Sequence, residues 1–173
     1  MTEDQAYEDL TAYRLDDDDE TKLLTLQDEC TFMWATKEGW PVGVIMSFLW
    51  RDGHFWLTAA EHRARIHAVR RDPRVSVCVT SKGTKLGALK TVTYKGTCAV
   101  RDDDETKTWF YPALANHLIP GDADFAAHFA RFLDSPGRVI LEVTPTKRID
   151  YDGVKMVGAS MNWVAESQPT PEP

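Results

Sequence analysis

The sequence predicts an α+β chain, mainly β, with antiparallel strands and a few short helices, on three observations. Val42, Val44, Met46, Phe48 and Trp50 alternate with Gly43, Ile45, Ser47 and Leu49, the period of a strand with one heavy face. Arg51-Asp52-Gly53 is turn chemistry, and His54 to Leu57 returns as the hairpin partner. The alternation recurs in Val75, Val77 and Val79, and again from Thr91 to Val100, where Gly96 marks a bend or a close approach.

Composition sets the limits. A chain of 173 residues fits one domain that buries its own core, and 43% apolar with 27% charged residues is ordinary for a globular protein. A net charge of −7 argues against nucleic acid or an anionic membrane as partner, since both are polyanions. No apolar run approaches spanning length and no basic-then-apolar leader opens the chain, so a cytoplasmic location is expected. Cys30, Cys78 and Cys98 lack metal-ligand spacing and fit as small strand residues.

Residues 1–15 show no period and are expected to form a mobile arm. Asp16 or Asp17 caps a short helix reaching about Gln27, with the other acids favourable at its N-terminus and Leu23, Leu24 and Leu26 as its buried face. An acidic block without a ligand-spaced loop is a solvated face more often than a metal site. Thr31 to Thr36 is the first strand, and Lys37 to Pro41 turns into the second.

Thr58-Ala59-Ala60-Glu61 has the form of a capping box, which opens a helix that Asp72-Pro73 closes. At about 100° per residue, Arg63, His67, Arg70 and Arg71 share one arc, whereas Arg65 falls beside Ile66 and Val69 at the edge of the buried stripe. A guanidinium so placed near a helix N-terminus suits a phosphate. The competing view is a solvated basic face on an acidic protein.

Thr80 to Lys90 is a glycine- and lysine-rich loop without a P-loop or Rossmann fingerprint. Arg101 to Glu105 caps a helix that Pro112 kinks or breaks. Asp122 caps the next, whose Phe125, Phe129, Phe132 and Leu133 form an amphipathic face covering the barrel or a partner. His117 and His128 have no second ligand at metal spacing. Ser135-Pro136-Gly137 turns into the last long strand, and residues 166–173, rich in proline, are expected to be disordered.

Together the strand pair 30–36 and 42–50, the stretch His54 to Thr58, Arg63-Ala64-Arg65, Arg70-Arg71-Asp72-Pro73-Arg74-Val75 and Thr91-Val92-Thr93-Tyr94-Lys95-Gly96 resemble the FMN-binding split-barrel superfamily. That superfamily includes pyridoxamine-phosphate-oxidase-like proteins and deazaflavin-dependent reductases. The resemblance runs from about Leu23 to Tyr151. It implies a six-stranded antiparallel Greek-key split barrel with flanking helices over residues 16–165, and a homodimer with cofactor sites between subunits. FMN is the implied cofactor, with the deazaflavin coenzyme F-420 as alternative.

On the same resemblance, Arg65 and Arg63 pair with the phosphate, Thr58 bonds it at the helix start, and Val44, Ile45 and Met46 lie beneath the ring. Lys82 is a further cofactor candidate, with Lys85 and Lys90 suited to the longer acidic tail of F-420. Trp163 reaches the cofactor at the dimer interface or simply packs on the barrel. The implied activity is hydride or electron transfer to a small-molecule substrate; the alternative is a non-catalytic flavin- or haem-binding module. The chain shows no nucleophile–base set, paired carboxylates or metal motif, so no residue is assigned a catalytic role, and the cofactor itself would carry the chemistry.

Overall fold

The computed structural model describes residues 10–166. Strands β1 (Glu29–Ala35), β2 (Pro41–Ser47), β3 (Leu49–Arg51), β4 (His54–Ala60), β5 (Arg74–Thr80), β6 (Lys90–Arg101) and β7 (Arg138–Asp152) form one antiparallel sheet. Its order is β2-β1-β5-β6-β7-β4-β3. The helices are α1 (Asp17–Leu26), α2 (Ala64–Arg71), α3 (Asp104–Leu118), α4 (Ala123–Leu133) and α5 (Gly153–Glu166), after a 3₁₀ turn at Leu10–Tyr13.

The expected α+β class holds, with seven strands in place of six. The seventh arises because the run from Val42 to Trp50 bends at Phe48, which is fully buried and donates its N–H to Asp28 O at 3.1 Å. Before the bend the chain pairs with β1, and after it with β4. One stretch of chain thus supplies both edges of the sheet and curls it into a half-open barrel.

Inward residues of the alternation, among them Phe32, Phe48, Phe55, Leu57, Val77, Val92, Leu141 and Val143, make the barrel core, and α2 adds Ile66 and Val69. Helices α3 and α4 build a second cluster with the outer face of the sheet, joining Phe110, Tyr111, Leu114, Leu133 and Ile140. Gly96 sits at a β-bulge against β7. A Cβ there would lie 2.4 Å from Thr144 O, so the close approach read from the sequence is real and tolerates only glycine.

Several expectations change. Thr58 opens no helix. Strand β4 continues to Ala60 because its ladder to β7 persists, and α2 begins only at Ala64 with Arg63 in the cap position. Leu26 is exposed, so Leu23 and Leu24 alone bury α1. The buried side of α4 is Ala126, Ala130 and Leu133, with Phe125 and Phe132 facing outward; the small residues let the helix approach the sheet more closely. Helix α3 runs through Pro112 without ending. Asp103 and Asp122 do cap α3 and α4, accepting from Thr106 N at 2.8 Å and Phe125 N at 2.9 Å.

The acidic block serves as a set of counter-ions. Asp16 occupies the cap position of α1 without a capping hydrogen bond, and its carboxylate takes Lys155 Nζ at 2.8 Å. Arg148 pairs with Asp17, Glu20 and Asp150 and donates to Leu15 O. Lys90 Nζ lies 2.5 Å from Asp152 and 3.0 Å from Asp19. These bonds fasten α1, and the buried Leu15 before it, to β6 and β7. Residues 1–9 of the expected arm, and 167–173 of the expected tail, lie outside the described residues.

Candidate functional site

The opening of the barrel lies between β2 and β4, which approach each other without pairing. The register of β3 on β4 sets Leu49 opposite Trp56 and Trp50 opposite Phe55. Continued past the bend, it would face Met46 to Ala59 and Ile45 to Ala60, and there the strands have parted. As an edge strand, β2 turns alternate N–H and C=O groups away from β1 and towards this opening. The chain leaves β4 at Ala60 and turns at once into α2, so the start of that helix closes one end of the opening; Arg63 N donates to Ala60 O at 3.1 Å.

Arg65 is half-buried beside Ile66 and Val69, as the helix phasing predicts, while Arg63, His67, Arg70 and Arg71 are exposed. Its Nε is buried without a partner, and no hydrogen bond or ion pair reaches its guanidinium among the described residues. Burial pushes the group below its ordinary value and the Arg63 charge adds to the push. An arginine nevertheless stays protonated. The result is a desolvated cation beside a second cation, without a protein anion. Its neighbours are spoken for: Arg70 pairs with Glu61 at 2.7 Å, Arg71 donates to Ala35 O at 2.8 Å, and Arg74 pairs with Asp72 at 2.6 Å. An anionic group of phosphate type fits the donors left over at Arg63 and Arg65.

The other candidates are placed as follows. Met46 points into the core and Val44 packs against it, whereas Ile45 is 63% exposed on the outer face. Of these three side chains only that of Ile45 lies open on the outer face. Thr58 lies within β4, and its hydroxyl donates to Val139 O at 2.9 Å, away from the helix start. Lys82 belongs to a loop held by Gln27 Nε2, which donates to Thr80 O and Lys82 O. Its side chain is exposed, and no contact links it to Arg63 or Arg65. Lys90, considered for an acidic tail, is already ion-paired. Trp163 falls in the last turn of α5, and its side chain lies outside the described residues.

Two polar groups escaped the sequence. Arg138 Nε is also buried without a partner among the described residues, and the buried Tyr111 hydroxyl has only the Thr58 hydroxyl beside it. Nothing near them in sequence marks them; they matter only because β7 pairs with β4, so that Arg138 stands opposite Ala60. A groove of about 480 Å³ lies elsewhere, on the outer face of β1, β5 and β6 beside Met33, Pro41, Ser76 and Lys95. Neither Arg65 nor Arg138 lines it.

Among known families, the model of the pyridoxamine 5'-phosphate oxidase family matches residues 19–151. The chain belongs to that family. The match covers every strand except the final residue of β7. A search of curated proteins finds no match. Among solved structures, a conserved hypothetical protein from Mycobacterium tuberculosis superposes with a TM-score of 0.72 at 16% identity, over 84% of this chain and 90% of that one. An F420 reductase gives 0.55 at 20% identity over 74% and 94%. A FAD-binding protein from Mesorhizobium loti gives 0.59 at 20% identity over 79% and 94%. At these identities the likeness is one of fold. Among the described residues no helix is long and apolar enough to cross a membrane.

Proposed function

We propose that the chain is an oxidoreductase that binds FMN, or alternatively the deazaflavin coenzyme F-420, at the opening between β2 and β4. The observation that carries this reading is Arg65, a half-buried cation whose covered Nε has no partner among the described residues, set at the start of α2 beside Arg63. A charge left in that state costs stability unless a ligand anion meets it. Bound there, the ring would supply hydride transfer to a small-molecule substrate. The residues of the chain bind and orient: Arg65 and Arg63 hold the phosphate, and the edge of β2 at residues 44–46 holds the ring. An F420 reductase and a FAD-binding protein, both of this fold, support a deazaflavin or a flavin as the class of cofactor.

The working unit of the proposal is a homodimer. Across the outer face of the sheet, pairing aligns Ile45, Thr31, Cys78, Thr93 and Ile149 in one row over five strands. Ile45 and Ile149 are 63% and 48% exposed, a band suited to a second copy. Light scattering on purified protein checks this, and a monomer at micromolar concentration would reject it.

The absorption spectrum of purified protein, with mass spectrometry of whatever heat releases, is the first test. Protein isolated without cofactor is titrated with FMN and F-420, and then assayed for oxidation of reduced nicotinamide or deazaflavin. Binding of neither cofactor sinks the proposal. Binding without turnover favours the non-catalytic module.

A further inference from the structure

We propose that the outward face of α4 is an interface for a second copy of this chain, in which two α4 helices pack antiparallel about a two-fold axis. That face holds two large apolar side chains open to solvent, Phe125 at 55% and Phe132 at 65% exposure. Phe132 is held in place, since its ring stacks on half-buried Phe129 with centroids 6.3 Å and planes 17° apart. Phe129 in turn packs against the cluster beneath α3 and α4. Aromatic rings fixed from below and bare above form a contact surface prepared in advance.

The pattern along the helix identifies the occupant. At about 100° per residue, Phe125, His128 and Phe132 fall within one arc of about 60°, and buried Ala126, Ala130 and Leu133 fall within another. Asp124 and Arg131, both exposed, share one flank of the outward arc. They stand two turns apart, about 10 Å along the axis, too far to pair within the helix. Neither makes an ion pair among the described residues. Phe125 and Phe132 lie equally far from the helix midpoint, and Asp124 and Arg131 nearly so. When the helix meets its own copy antiparallel, Phe125 falls opposite the partner's Phe132 and Asp124 beside the partner's Arg131. The two-fold axis makes each contact twice, and His128 stands near its centre.

Charge decides between partners and between directions. A uniformly acidic or basic partner would leave one of the two ends facing its like, whereas a second copy matches both. A parallel meeting would set acid beside acid and arginine beside arginine, so the antiparallel arrangement is the one that closes. A helix of 11 residues is about 16 Å long, and its stripe offers less than the roughly 800 Å² a side of a standard interface. Association through α4 should therefore be reversible and depend on concentration. The interface stands on a different element from Ile45 and Ile149, so it depends neither on the sheet-face dimer nor on the cofactor reading.

Sedimentation velocity from about 2 µM to about 500 µM tests this on wild type, Phe132→Glu, Asp124→Arg, Arg131→Asp and the double reversal of both charges. The mean mass of wild type should rise with concentration and exceed that of Phe132→Glu, which loses the step. Each single reversal should weaken association about fivefold or more, because like charges then meet at both ends, and the double reversal should regain it. Both charges also suit the dipole of their own helix, Asp124 in the first turn and Arg131 in the last. A double reversal that lowers the unfolding temperature without regaining association confines them to that role and overturns the proposal. So does a mass that Phe132→Glu leaves unchanged, whether the stripe is bare or covered by residues 1–9 or 167–173. The mass that Phe132→Glu retains reads the other interface. A dimer leaves the sheet-face pairing standing; a monomer removes it, while the α4 contact holds.

Discussion

Two groups of cations, one at each end of the chain's logic, behave in opposite ways. Lys90 and Arg148 are covered and paired, Lys90 with Asp152 and Asp19, Arg148 with Asp17, Glu20 and Asp150. Arg65 and Arg138 are covered at Nε and unpaired. Both states begin with a desolvation cost, and only the first recovers it inside the protein. The first group should therefore respond to mutation by losing stability and Arg65 by losing ligand.

Removing the paired cation gives the largest effect. Lys90→Met leaves Asp152 covered and without its cation, and should cost about 3 kcal/mol in urea unfolding. The pH dependence follows in sign. Burial pushes the Asp152 carboxyl up, but hydrogen bonding to Lys90 and main-chain N–H groups outweighs it, and the net shift is below 3.8. The Lys90 hydrogen bond likewise holds Asp19 below 3.8. A depressed carboxyl stabilises the fold above its unfolded value and loses that contribution as pH falls through the folded one. The gap between wild type and Lys90→Met should thus be full at pH 7 and close below about pH 4.

On the unpaired side, Arg65→Ala should weaken cofactor binding by about 2 kcal/mol and leave unfolding in the absence of cofactor unchanged or slightly improved. A loss of stability comparable to that of Lys90→Met would erase the distinction. Next in size is Leu89, a non-glycine residue at φ 79° whose carbonyl accepts from Gly153 N at 2.8 Å. Leu89→Gly should raise stability by about 1 kcal/mol by relieving left-handed backbone strain. The smallest effect belongs to Arg70→Ala, where an exposed pair with Glu61 is lost; stability and cofactor affinity should each change by less than about 0.5 kcal/mol.

What the sequence disclosed followed local rules. Alternation located the strands, the run from Arg101 to Glu105 and Asp122 marked real helix starts, and Gly96 stood where a close approach demands it. The phasing of α2 separated Arg65 from Arg70 because burial follows the helical period. Thr58 misled because T-x-x-E also occurs where a strand partner holds the chain extended, and β7, distant in sequence, decided the matter. On α4 the expected face holds for Leu133 and Phe129 but not for Phe125 and Phe132, because periodicity fixes a stripe without fixing which side approaches the sheet. The unpartnered Nε of Arg138 depends on what surrounds it in space, for which no local pattern exists.

The strand order also governs how the molecule can assemble in time. Strands β5 and β6 follow each other and can zip as a hairpin, whereas β4 has only the three residues of β3 to hold until β7 arrives. The bond from Thr58 Oγ1 to Val139 O spans 81 residues, so half the barrel waits on a loop that must close late. A chain emerging from the ribosome carries β4 with one edge bare through the synthesis of both α3 and α4. Such a topology folds slowly, and that bare edge is where a partly made chain meets chaperones or aggregates.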